Sequence, residues 1–157
     1  MKIAFLQVGK TSEKYITEGI RIFEARLKKY SPFEIITIPD IKGSRKIPAA
    51  EKILREGDKI MDLIRNDDYV VLLDIRGKEY STNEFASWLD KGMMLACKRI
   101  LFVSGGPWGL AEILARKADM LLSLSKLTFS HELVRLVFLE QLYRAFTIIR
   151  GEPYHHE

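Results

Sequence analysis

Two short stretches hold the residues with the most chemical reach. The apolar run Ile100-Leu101-Phe102-Val103 passes into Ser104-Gly105-Gly106-Pro107-Trp108-Gly109, ending in three glycines and a proline. Glycine accepts positive φ and has no Cβ, so a ligand can lie directly against backbone amides there. A tight turn at a strand end is the plainer reading of the same run. Residues 122–131, Leu-Ser-Leu-Ser-Lys-Leu-Thr-Phe-Ser-His, repeat the pattern of an apolar run closing on small polar groups, and Leu72-Leu73-Asp74 is a third. If three such strand ends meet, the glycines admit an adenosine or ribose against the backbone, with Leu73, Leu124, Leu127 and Phe129 as apolar walls. Titratable groups follow: His131, Arg135 one turn on, Tyr143, Arg144, and Tyr154, His155 and His156 at the end. An imidazole opening a helix either hydrogen-bonds structurally or moves a proton. Tyrosine and histidine rings in the tail would stack on bases, or the tail frays as an ordinary terminus.

Other chemistries are disfavoured by spacing. No G-x-x-x-x-G-K-[ST] occurs, the glycine run does not match G-x-G-x-x-G and comes after the fourth expected strand, and no Cys/His cluster has metal-ligand spacing. No metal is expected.

The elements that must position these groups can be read from periodicity. Residues 2–8 form a first buried strand, followed by a loop in which Ser12 is the expected helix N-cap. Ile16, Ile20, Phe23, Leu27 and Tyr30 share one helical face, and Ser31-Pro32 stops that helix. Residues 33–38 are a β-branched strand and 39–48 a basic loop carrying Lys42, Arg45 and Lys46. A helix over 49–65 follows, with Pro48 at its start. Residues 69–74 are apolar throughout, as in a strand covered on both faces. A helix capped by Ser81 or Thr82 runs to about 96, then a strand over 99–104, a short helix over 110–117, a last strand over 120–124 and a long helix over 132–149. This alternation predicts an α/β fold with a mostly parallel sheet, as one domain over 1–157.

Composition agrees. A hydrophobic fraction of 47% with 29% charged residues is that of a globular chain, no segment reaches membrane-span length, and the single Cys97 cannot form an internal disulfide. A cytoplasmic protein is expected. The net charge of +4 is modest, but Arg21, Arg26, Lys28 and Lys29 share one helix, and the 39–48 loop is basic. Such clusters attract phosphates, although each also serves as a solvated face. The last helix carries Leu133, Val134, Leu136, Val137, Phe138, Leu139, Leu142, Ala145, Phe146, Ile148 and Ile149, more than one stripe. A lone sheet face cannot bury them all, which points to a symmetric homodimer through this helix rather than a central helix inside one subunit.

Several of these motifs, in order along nearly the whole chain, resemble the ribosomal RNA large subunit methyltransferase H family. They are Leu-Leu-Asp-Ile-Arg-Gly-Lys at 72–78, Val-Ser-Gly-Gly-Pro-Trp-Gly at 103–109, residues 122–131, Leu-Val-Arg at 133–135, Glu-Gln-Leu-Tyr-Arg-Ala at 140–145 and Pro-Tyr-His at 153–155. The resemblance implies a SPOUT-type α/β fold with a C-terminal trefoil knot, which breaks the usual rule against threaded chains. It implies a homodimer with S-adenosylmethionine pockets near the subunit interface, and methylation of N3 of a pseudouridine in 23S ribosomal RNA on the assembled ribosome. By motif position the donor contacts Leu73, Gly105, Leu124, Ser125, Lys126, Leu127, Thr128 and Phe129. His131, Arg135, Tyr154 and His155 are implied as catalytic or base-positioning residues, with the tail reaching a partner's pocket. Members of that family often carry Glu where Trp108 stands and a basic residue where His156 stands. The competing reading is a catalytically silent RNA-binding or ribosome-assembly factor on the same fold, which calorimetry with S-adenosylmethionine separates.

Overall fold

β1 (Lys2–Val8), β2 (Phe33–Ile38), β3 (Asp68–Glu79), β4 (Arg99–Ser104) and β5 (Met120–Ser123) form one sheet in the order β2-β1-β4-β3-β5, with every pairing parallel. This computed structural model describes residues 1–41 and 43–156; Lys42 of the basic loop and Glu157 of the tail lie outside the described residues. The central strands have no polar alternation because both faces are covered. Ile3 and Phe5 of β1 join Phe102 and Phe138 in one core, while Ala4, Leu6 and Val8 join Ile60, Leu101, Val103 and Leu114 in the other. Helices α1 (Lys14–Leu27), α3 (Thr82–Gly92) and α5 (Leu133–Ile149) cover the first face, and α2 (Ala49–Leu63) and α4 (Glu112–Lys117) cover the second.

The registers align the strand exits. Val8 pairs with Ile38, Gln7 with Ser104, and Leu72 with Val103, so β1, β2, β3 and β4 all reach one edge at the same level. β3 then continues beyond the 69–74 run expected from hydropathy. Its register against β5 shifts between Leu73 and Lys78, so that Leu122 pairs with both. Gly77 permits this second approach, since a Cβ there would lie 2.5 Å from the Leu121 backbone carbon.

Two expectations need correction, and the surroundings of α5 bear on a third. Ser12 does not cap α1; its amide and hydroxyl donate to the Glu132 carboxylate, as does the Glu13 amide, so the orphan donors before α1 are satisfied from the start of α5. Ser81, rather than Thr82, caps α3 in a reciprocal box with Glu84, and that helix ends at Gly92, short of residue 96. Finally, α5 is the middle helix of its layer, flanked by α1 and α3, and Phe138, Leu139, Leu142, Ala145 and Phe146 are buried within the single chain. Leu133, Leu136, Ile148 and Ile149 pack partly buried against the same core. The subunit itself thus buries one side of α5, while Val134 and Val137 stay half-buried.

Candidate methyl-donor site

Ligands of open parallel sheets bind beyond the carboxyl ends of the strands. Here the middle of β3, where its register against β5 shifts, and the ends of β4 and β5 open onto one cleft of about 390 Å³, within the range of small-molecule sites. One wall is Leu73, Asp74 and Ile75; a second is residues 104–107 with Gly109 and Leu110; a third comprises residues 122–125, Thr128 and Phe129; His131 and Val134 close the floor from the start of α5.

The glycine loop folds back on itself through a bridge between Gly106 and Gly109. Gly105 makes this fold possible, because a Cβ there would lie 2.9 Å from both the Gly109 carbonyl oxygen and Leu110 Cγ. The opposite wall is shaped by serines. Ser123 Oγ donates to the Ser125 carbonyl at 3.0 Å, and the Leu127 amide donates to Ser125 Oγ at 2.9 Å, which turns the chain after β5. Asp74 is held by Arg76, whose amide and Nε both donate to Oδ1, at 2.8 and 3.0 Å; these bonds keep its carboxyl below the ordinary carboxylate range.

Six of the eight residues expected around a donor line this cleft: Leu73, Gly105, Leu124, Ser125, Thr128 and Phe129. Lys126 and Leu127 do not. Both are exposed, Leu127 at 75%, because the serine turn directs them outward. Ile75, Leu110 and Val134 were missed. Val134 lies one helical turn after His131, so helix periodicity carried a signal for it; Ile75 sits in a polar stretch and carried none.

The four expected catalytic or base-positioning residues separate. His131 lines the cleft, and burial, followed by the nearby Arg135 charge, lowers its pKa, so its imidazole is neutral at pH 7. Arg135 is 0% exposed and outside the lining; it donates to the Val8 carbonyl and, at 2.8 Å, to Thr11 Oγ1, clamping the exit of β1. Tyr154 and His155 are not brought to the cleft of their own chain. The Tyr154 hydroxyl donates to Glu140 at 3.0 Å and its ring meets Tyr143 edge-on at 4.7 Å, while His155 Nδ1 lies 3.3 Å from Arg144. The Tyr30 hydroxyl also donates to Glu152. The tail is therefore docked on α5 and on Tyr30, just past α1, rather than frayed.

Behind the glycine loop lies a second polar group. Glu56 of α2 is 6% exposed, Oε2 has no hydrogen-bond partner, and a Cβ on Gly106 would come within 3.3 Å of that oxygen. Burial, then the neighbouring Asp40, pushes its carboxyl above the ordinary value, with Lys52 and Lys59 opposing. Among the described residues no group of three His, Cys, Asp or Glu could hold a metal ion, and no helix is long and apolar enough to cross a membrane.

A family profile described as a predicted SPOUT methyltransferase matches residues 1–155. The chain belongs to the SPOUT methyltransferase family. Relatives named ribosomal RNA large subunit methyltransferase H include that of Parabacteroides distasonis, 45% identical over 157 residues and all of both chains. That of Christiangramia forsetii is 45% identical over 156 residues, 99% of each chain. Among solved structures, a tRNA (m1G37) methyltransferase from Aquifex aeolicus superimposes with TM-score 0.58 at 18% identity, covering 100% of this chain and 76% of that one. A probable methylase family protein from Haemophilus influenzae gives 0.57 at 15%, covering 99% and 70%. At these identities the structural likeness speaks for the fold alone. Within this SPOUT methyltransferase, the cleft fits an adenosyl sulfonium. Leu73, Leu122, Leu124 and Phe129 suit the apolar rings, and the backbone bared at Gly105 and Gly106 offers hydrogen-bonding groups at close range.

Proposed function

We propose that this SPOUT methyltransferase transfers the methyl group of S-adenosylmethionine to N3 of a pseudouridine in 23S ribosomal RNA, acting in the cytoplasm on the assembled ribosome. The observation that carries the reading is the meeting of six motif residues from three segments of the chain in one cleft. The full-length relatives support the RNA class of substrate.

S-adenosylmethionine supplies an already activated methyl group, so the protein's work is alignment, exclusion of water and proton removal. Leu73, Gly105, Leu124, Ser125, Thr128 and Phe129 hold the donor; Leu122, Leu124 and Phe129 keep its surroundings dry. His131, neutral and facing the cleft, accepts the N3 proton of the target base as the N–C bond forms. Arg135 is a positioning residue, fixing the β1 exit, and its charge adds to burial in lowering the His131 pKa. Tyr154 and His155, docked on their own α5, serve the partner's cleft in a homodimer formed along that helix, with the trefoil knot of the resembling family in the C-terminal half.

Mass spectrometry of 23S ribosomal RNA from cells lacking this protein is expected to show loss of one methylated pseudouridine, restored by the wild-type gene. An unchanged methylation pattern would overturn the assignment. Calorimetric binding of S-adenosylmethionine separates the enzyme from a silent RNA-binding protein of the same fold.

A further inference from the structure

The chain has two tryptophans with opposite surroundings. Trp88 is packed among Tyr69, Tyr80, Phe85 and Phe102. Trp108, at the tip of the glycine loop, is 54% exposed. Pro107 and Gly109 on either side line the donor cleft while Trp108 does not, so its ring stands at the rim. Leaving so large an apolar ring in water forgoes stabilisation that burial would give. Its company is cationic: Lys52 Nζ lies 5.4 Å from the ring centroid, and Lys52 belongs to the first turn of α2, just after the exposed Arg45 and Lys46 of a short 3-10 turn (Ser44–Lys46). A protein partner would be met by an apolar surround. A flat aromatic ring with an ammonium group beside it, on a helix that follows a basic turn, instead matches unpaired nucleic acid, whose bases stack while its phosphates take the charges.

We propose that Trp108 stacks on an unpaired nucleobase of the RNA substrate adjoining the nucleotide in the cleft, with Lys52, Arg45 and Lys46 on the neighbouring phosphates. This rests on the RNA-methylation reading and names the residue that grips the substrate beside the donor. Because the ring is exposed and outside the donor wall, its removal costs RNA affinity and leaves donor affinity intact.

The test compares Trp108→Ala and Trp108→Phe with wild type in methyl transfer to ribosomes from cells lacking the protein. Donor affinity is measured by calorimetry and subunit assembly by sedimentation. Trp108→Ala is expected to raise the half-saturating ribosome concentration roughly tenfold, a change on the scale of one lost base stack. Trp108→Phe should recover most of it, with S-adenosylmethionine affinity and sedimentation unchanged. An unchanged ribosome dependence, an equal loss of donor affinity, or altered assembly would each overturn the proposal. A separate readout does not need turnover: a uridine-rich single-stranded RNA oligomer should quench wild-type emission and a duplex should not, with no quenching in Trp108→Phe. Wild type that methylates no ribosomes while keeping this quenching would remove the enzyme reading and leave the stacking site; absence of quenching would remove the site.

Discussion

Two buried arginines mark opposite ends of the same sheet. Arg99, at the amino end of β4, is 3% exposed and forks onto Asp68, with Nε on Oδ1 at 2.8 Å and Nη2 on Oδ2; Nη2 also reaches the Leu63 carbonyl at 3.1 Å, and Glu34 lies 3.7 Å away. Arg135, at the carboxyl end, donates to a carbonyl and a hydroxyl, forms no ion pair with a carboxylate among the described residues, and leaves Nε unpartnered. The hydrogen bond with Asp68 pushes the Arg99 pKa up; burial pulls that of Arg135 down, with Glu132 and Asp40 opposing. One end of the sheet is thus electrically closed, and the other keeps a cation without direct neutralisation beside the cleft. Burial lowers the His131 pKa first and the Arg135 charge adds to it, so stability is concentrated at one end and chemistry at the other.

The sharpest way to break this contrast is at the closed end. Asp68→Ala strands Arg99 without its carboxylate and is expected to cost about 3–5 kcal/mol in urea unfolding, while donor affinity of the folded fraction stays at the wild-type value. Equal losses in both would mean the two ends are not separable. Arg135→Met should slow single-turnover methyl transfer about tenfold, with a smaller stability loss than Asp68→Ala because no charge is stranded. Removing the cation raises the His131 pKa, so the acid limb of the rate profile moves to higher pH; an unmoved limb would take Arg135 out of the site's electrostatics.

Glu56→Gln probes the carboxyl behind the glycine loop. Its folded pKa is raised, so the native carboxyl favours the fold only at acid pH, and that contribution is lost as pH rises through the folded value. The glutamine variant should therefore be more stable than wild type by about 1 kcal/mol at pH 8, with the gain vanishing toward pH 4. His131→Gln has the smallest effect on stability. A histidine held below its ordinary 6.5 contributes stability that is complete above that pH and lost as pH falls through the folded value, so the variant's stability should be flatter between pH 7.5 and 5.

The sheet was readable because β1, β3 and β4 are continuous apolar runs and the helices between them keep a 3.6-residue period. What escaped was set by distant partners. Ser12 is a sound cap residue that is taken by Glu132, and no local pattern reveals a carboxylate 120 residues away. The polar sequence Ile-Arg-Gly-Lys-Glu at 75–79 belongs to β3 only because β5 pairs with it twice. At the site, chain position identified the 124–129 segment, but not which way Lys126 and Leu127 face, since that depends on one serine hydroxyl. The tail looked unanchored because its ties, Tyr30 to Glu152 and Tyr143 against Tyr154, again join residues far apart or on the other side of a turn.

The strand order also governs how the chain matures during synthesis. β1 finds β2 early, but its other neighbour is β4, and β3 waits for β5 on its far side. Phe5 and Phe102 lack their shared aromatic partner until Phe138 arrives from the final helix. Parallel pairings over such separations form slowly, and an apolar sheet with one naked face invites association with other chains. The core is thus completed only when α5 arrives, and a truncation before residue 133 should yield an aggregating species rather than a smaller enzyme.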